Sequence, residues 1–261
     1  MFPVGEAPSQ PTGSPPVAAA TDTPAGSGRG SRWDVPALYP RSVMSAGQPP
    51  SGGGAEGAAY ADRFAVESPE MTAARTRAFH LPGPPPVEPA VGALLAVLAA
   101  GSAARSVVSI GSGGGLVGLW LLRGMRPDGV LTALDGDPEQ LRAAKKAFAD
   151  SGIAPGRARL IFGTPAEVLP KLSPGAYDVV VCAGPPPEYS PHLTDLLGLV
   201  RAGGTLACHG VLEGGRVADR TARDPQTVAW REMARVIKDD ETLLPAVLPI
   251  GAGLLLATKR A

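Results

Sequence analysis

The stretch Ser106 to Leu116 reads S-V-V-S-I-G-S-G-G-G-L, an apolar, β-branched run that breaks into glycines at 111, 113, 114 and 115. An apolar helix pattern resumes over Gly115 to Arg123. Such a run reads as a buried strand feeding a tight turn. Glycines let the backbone adopt positive φ and approach a ligand closely, and the helix start that follows offers unpaired N–H groups. A second strand, Val130 to Leu134, ends in Asp135. An acid at the tip of the adjoining parallel strand can accept hydrogen bonds from both ribose hydroxyls of an adenosine. Together these features predict a cradle for a nucleoside-bearing cofactor.

The rest of the chain supplies the alternation that such a cradle needs. Ser68-Pro69-Glu70 carries an N-cap, a first-turn proline and an early acid, predicting a helix through about Phe79 that the Pro82 to Pro86 run ends. Val91, Leu94, Leu95 and Leu98 recur at helical spacing between Glu88 and Ala100. Further helices are predicted at Pro138 to Asp150, Pro165 to Leu172, Leu193 to Val200 and Asp224 to Lys238. Strands are predicted around Arg159 to Phe162, Tyr177 to Cys182 and Gly204 to Cys208. Alternation of this kind implies an α/β, doubly wound, Rossmann-like parallel sheet. Leu243 to Leu248 and Gly253 to Thr258 are apolar runs joined by a short turn, which predicts an antiparallel hairpin at one edge.

The first 57 residues are rich in Pro, Gly, Ser and Ala and lack the apolar content of a core. They predict a disordered tail over 1–57 and a folded domain over 58–261. Ser51-Gly-Gly-Gly54 reads as linker, and Trp33, Leu38 and Tyr39 read either as a short docking segment or as solvated side chains. Residues 1 to 32 hold no apolar run suited to a signal peptide or membrane span. The chain has 24 basic and 24 acidic residues, so no net field favours nucleic acid or an anionic membrane, and a small-molecule ligand fits better. Cys182 and Cys208 lack the spacing of a zinc site or a disulfide framework, which points to a reducing, cytoplasmic setting.

The glycine spacing narrows the cofactor. A dinucleotide fingerprint starting at Gly111 needs a glycine at 116, where this chain has Leu116. The form G-x-G-x-G resembles that of class I S-adenosylmethionine-dependent methyltransferases. More narrowly, the chain resembles the cation-dependent O-methyltransferases of the catechol and caffeoyl-CoA type, in a diverged bacterial form. The resemblance rests on Val87-Glu-Pro-Ala-Val-Gly-Ala-Leu-Leu95, the Gly111 loop with Gly118-Leu-Trp-Leu-Leu122, Pro127-Asp-Gly-Val-Leu-Thr132 and Asp135 through Pro138. It continues through Gly163 with Glu167-Val-Leu-Pro170, Tyr177-Asp-Val-Val-Val181, Gly214-Gly-Arg-Val217, Leu248-Pro-Ile-Gly and Leu254-Leu-Leu-Ala257, covering about residues 68 to 259.

This resemblance implies a seven-stranded sheet whose last two strands form the hairpin. It implies S-adenosyl-L-methionine as cofactor, flanked by Val87, with the Gly111 and Ser112 backbone against its methionine portion and Gly113 and Gly115 among its further contacts. Asp135 would hold the ribose, and Gly163 to Ala166, with Thr164 and Ala166, would border the adenine. Val117 and Ala183 stand at further positions that border the cofactor in the family. Relatives often form a homodimer, and no segment here identifies such a contact.

The departures are as informative. In place of the family's Glu at the end of the first strand, which binds near the methionine amine, stands Ser109, whose hydroxyl can still hydrogen-bond the cofactor but lacks the charge to pair with an ammonium, and Val117 replaces a Ser. Metal-using members carry an Asp after the fourth strand and an Asp-Asn pair after the fifth, because hard cations take oxygen ligands. Here these positions are Ala183, His209 and Gly210, and the expected lysine is Pro186. The resemblance therefore implies no metal site. His209, at the carboxyl edge of the sheet, is the candidate general base, with a pKa of ~6.5 in the free side chain. Its bland alternative is a partly buried histidine filling space. Glu188 and His192 are further polar candidates, which read more readily as solvated loop and helix-start residues. Two functions remain open: a metal-independent O-methyltransferase acting on a small hydroxylated molecule, and a non-catalytic cofactor-binding regulatory protein.

Overall fold

A computed structural model describes residues 53–261. The tail assigned to 1–57 lies outside the described residues up to 52, as does the segment containing Trp33, Leu38 and Tyr39. Its last five residues are helical instead: α1 (Gly53–Phe64) starts within the supposed linker. Alanines, Glu56 in the first turn and Arg63 in the last favour a helix strongly enough to offset its three glycines. Asp62 Oδ1 also accepts a hydrogen bond from the Ala90 N–H at 3.0 Å, docking α1 on the chain that follows.

Beyond it the chain alternates as the sequence predicts. Helices α2 (Pro69–Ala78) and α3 (Pro89–Gly101) precede β1 (Ser106–Ile110), α4 (Leu116–Gly124), β2 (Val130–Asp135) and α5 (Pro138–Asp150). Then come β3 (Ala158–Phe162), α6 (Pro165–Val168), β4 (Tyr177–Cys182), α7 (Pro186–Tyr189) and α8 (Leu193–Leu199). The chain ends with β5 (Val200–His209), α9 (Pro225–Asp239), β6 (Leu243–Leu248) and β7 (Leu254–Lys259). Caps explain several starts: Ser68, Asp137 and Asp224 each accept an N–H from the first turn of α2, α5 and α9.

Three boundaries differ from the sequence reading. Helix α6 is shorter, because Pro170 lacks an N–H and the chain tightens into a 3₁₀ turn at Leu169–Lys171. Strand β5 begins four residues earlier than Gly204, across an irregularity in its pairing with β4. Helix α7, where the sequence reading placed no helix, forms inside Pro185-Pro-Pro187, since Pro186 occupies the first helical position, where a missing N–H costs nothing.

The seven strands lie in the order β3-β2-β1-β4-β5-β7-β6, with β1 to β5 parallel and β7 antiparallel to both its neighbours. The terminal hairpin is thus present as expected. Successive residues of β1 enter different cores: Val107 packs with α3 and α4, and Val108 and Ile110 pack with α8 and α9. Both faces are covered, as a parallel sheet requires. Because β1 is flanked by β2 on one side and β4 on the other, the order in which successive strands are added to the sheet reverses there. A crevice opens at that point beyond the carboxyl ends of the strands.

Helices α3 and α4 brace the sheet beneath the crevice by close backbone contact. A Cβ on Gly124 would stand 2.0 Å from the Ala96 carbonyl oxygen. Gly124→Ala should therefore force the two helices apart and cost about 3 kcal/mol, the upper range for overpacking, read as a lower urea midpoint with an unchanged slope. A variant as stable as the parent would show that these helices separate freely. Among the described residues no helix is long and apolar enough to cross a membrane.

Candidate functional site

The glycine turn after β1 is shaped by packing as well as by any ligand. Gly111 has φ +80°, and a Cβ there would lie 2.6 Å from the Gly184 nitrogen. Gly115, at φ +91°, lies against α5, where a Cβ would meet the Ala144 Cα at 2.7 Å. These two positions hold the loop close to β4 and α5. At Gly113, by contrast, a Cβ would make only ordinary contact with Val117 at 3.5 Å.

Above this loop lies a cavity of about 520 Å³. The glycine loop and Asp135 form its floor, and the proline-rich segment 82–87 forms one wall. Residues 164–166 and 183–185, with Glu188, form the others. Of the residues assigned to a cofactor from sequence, Val87, Gly111, Gly113, Val117, Asp135, Thr164, Ala166 and Ala183 line it. Ser109, Ser112 and Gly115 do not. Ser109 is fully buried and its hydroxyl donates to the Gly111 carbonyl at 3.2 Å. Gly115 faces α5.

Ser112 instead holds Asp135. Its N–H and hydroxyl donate to Asp135 Oδ2 at 2.7 and 2.9 Å, while the Asp137 N–H donates to Oδ1 at 3.0 Å. Each carboxylate oxygen offers two lone pairs, so Oδ2 is saturated and Oδ1 keeps one acceptor position. A ligand diol can take that position directly and needs Ser112 to yield for a second bond.

Gln140, which sequence reasoning passed over, ties two walls together. Its Oε1 accepts from the Gly114 N–H at 2.8 Å and its Nε2 donates to the Pro82 carbonyl at 2.7 Å. The available signal was a polar residue on the buried face of an amphipathic helix, three residues after the Asp137 cap. Thr164 is held by Glu167, whose Oε2 accepts from its N–H and hydroxyl at 2.9 and 3.1 Å.

His209 lies at the end of β5, one register step beyond the Cys182 and Cys208 pair and 7% exposed. It is not part of the cavity lining. Its Nε2 is 2.8 Å from Glu88 Oε2, and no hydrogen bond among the described residues reaches Nδ1. Glu88 follows Val87 of the cavity wall, and its Oε1 accepts from the Ala252 N–H at 2.8 Å, binding the β6–β7 turn to the same carboxylate. Burial acts to raise the Glu88 carboxyl, but the His209 hydrogen bond leads the contacts that outweigh it and hold the group below its ordinary value. An ionised Glu88 favours the Nε2–H tautomer, which leaves Nδ1 as the basic nitrogen.

The remaining candidates have plainer settings. His192 lies 3.7 Å from Asp195 on the surface. Cys182 and Cys208 are fully buried in the core with Tyr189 and Trp230, and burial followed by the neighbouring thiol raises Cys182 well above its ordinary value. Trp120 is buried in the core. At the positions that matched metal ligands stand a methyl group, an imidazole tied to Glu88 and a glycine. Among the described residues no group of three His, Cys, Asp or Glu side chains is placed to hold a metal ion. That donor set does not fit a hard divalent cation.

Residues 62–260 match the family model described as O-methyltransferase. A Mycobacteroides abscessus protein described as an O-methyltransferase is 46% identical over 200 residues, spanning 77% of this chain and 93% of its own. Among solved structures, a Corynebacterium glutamicum protein is 32% identical with a TM-score of 0.71, covering 77% of this chain and 94% of that one. The O-methyltransferase TomG of Streptomyces achromogenes, solved in complex with S-adenosylmethionine, is 26% identical with a TM-score of 0.68 and covers 75% and 92%.

Proposed function

The chain belongs to the O-methyltransferase family, and from that premise we propose that it transfers a methyl group from S-adenosylmethionine to a hydroxyl of a small molecule without a divalent cation. The observation that carries this reading is the cavity at the carboxyl edge of β1 and β2, floored by Asp135 with one free acceptor position. TomG, similar over most of its length, binds the same cofactor.

The cofactor when bound supplies an activated methyl on a sulfonium that leaves as a neutral thioether. The chain's part is alignment and proton removal. Asp135 holds the ribose, Val87 and Val117 pack against the ligand, and residues 164–166 flank the adenine. The acceptor hydroxyl approaches from the Ala183 side, and His209 takes its proton at Nδ1. Glu88 orients the ring and stabilises the imidazolium. With no cation to lower the hydroxyl's pKa, this pair carries the deprotonation.

The second reading, a cofactor-binding protein without turnover, draws support from His209 standing outside the cavity lining. One experiment separates the two. Calorimetric titration with S-adenosylmethionine, with and without Mg²⁺, should give the same affinity, and a panel of phenols should include a substrate whose turnover survives EDTA. Turnover that requires Mg²⁺ would refute metal independence. Binding with no turnover on any phenol would favour the second reading. Folding in a reducing, cytoplasmic setting suits both.

A further inference from the structure

The ionisable side chains lining the cavity are Asp135, Asp137 and Glu188, and no basic residue among the described ones lines it. Two of these acids are already engaged. Asp135 accepts three hydrogen bonds, and Asp137 Oδ1 caps α5 through the Glu139 N–H at 2.8 Å. Glu188 is an exposed residue at the cavity's rim, and no side-chain hydrogen bond or ion pair holds its carboxylate among the described residues. Its carboxylate sits over the junction of the glycine loop and β4: a Cβ on Gly184 would be 4.0 Å from its Oε2 and 3.8 Å from the Gly111 Cα.

We propose that Glu188 is a specificity residue that makes the cavity prefer the cationic sulfonium of the methyl donor to the neutral thioether of the product. The proposal rests on the S-adenosylmethionine reading above. A carboxylate that has no partner among the described residues, beside a cavity that none of their basic side chains lines, can pair with a charge that the ligand brings. Burial, and then the charge of Asp135, push the Glu188 carboxyl above its ordinary value, as expected for an acid whose counter-charge is missing. Donor and product share their adenosine and amino-acid groups, so the sulfur charge is what Glu188 can discriminate. The effect favours exchange of spent cofactor for fresh. It also disfavours nucleotides, whose phosphates would meet three acids and no base.

The test is calorimetric, with S-adenosylmethionine and S-adenosylhomocysteine titrated into the full chain and into Glu188→Gln and Glu188→Asp. Opposite unit charges several ångströms apart in a solvent-connected cavity correspond to a preference of roughly tenfold. The parent should bind the donor more tightly than the product. Glu188→Gln should lose about tenfold in donor affinity while product affinity stays within about twofold, and Glu188→Asp should keep most of the preference. Equal weakening of both ligands, or no change in either, overturns the proposal. A parent that binds both ligands equally overturns it too, yet leaves the cofactor reading standing. A parent that binds neither overturns that reading, and the proposal falls with it.

Discussion

Asp135→Ala weakens binding of S-adenosylmethionine by one to two orders of magnitude in a calorimetric titration. A hydrogen bond to a charged group contributes about 1.5 to 3 kcal/mol, which corresponds to roughly 10- to 150-fold in affinity. The upper part of that range applies, because the carboxylate serves the loop as well as the ligand. Its removal strands the Ser112 N–H and hydroxyl and the Asp137 N–H, and the loop that floors the cavity loses its tie to β2. Asp135→Asn should fall between parent and alanine. Its one amide oxygen can face Ser112 or the ribose, while the amide nitrogen opposes a donor in either orientation. The core below the loop does not depend on Asp135, so the melting temperature should drop much less than the affinity. Unchanged affinity in the alanine variant would remove Asp135 from the ribose role.

This dependence also explains what could be read before the fold was known. The strand, glycine loop, helix and following strand with its terminal acid are contiguous in sequence, and their hydrophobic period and glycines specify local geometry directly. The terminal hairpin was legible for the same reason. Local rules failed where two effects competed. At α1, alanines and end charges offset glycines, and docking through Asp62 adds a contact that no local pattern contains. In the 184–187 proline run, a residue that breaks helices also starts them, and α7 begins there.

Long-range partners were the least legible. Ser112 and Asp135 lie 23 residues apart, and Glu88 and His209 lie 121 apart. Only the strand order places the end of β5 near the start of α3. Glu88 could be read from sequence as a residue preceding a first-turn proline, and nothing local shows its carboxylate turning away from the helix to His209 and Ala252. Glu188 shows the converse: the sequence marks it as a polar candidate, and its significance comes from the absence of basic side chains around the cavity among the described residues.

His209→Ala should lower kcat by about 10²- to 10⁴-fold, the range for a positioned general base, while leaving cofactor affinity within about twofold. The separation follows from the geometry, because His209 contacts Glu88 rather than the cavity lining. A purely structural histidine would behave differently, since its loss would lower the melting temperature and degrade binding and turnover together. Glu88→Gln supplies the readout that distinguishes the two roles. The amide oxygen can still accept from Ala252, so the β6–β7 turn is kept, but the charge that stabilises an imidazolium is gone. The kcat should fall while the melting temperature stays close to the parent's, and kcat should fall less than in His209→Ala, because the turn contact is kept and only the charge beside the ring is lost. Stability carries its own sign. Glu88 has a folded-state pKa below its unfolded value, so its contribution is present above that unfolded value and is lost as pH falls through the folded one, a dependence that Glu88→Gln removes. Turnover retained in His209→Ala, or a kcat unchanged in Glu88→Gln, would show that the pair only fills the space beside β5, and the acceptor's proton would then have to leave without it.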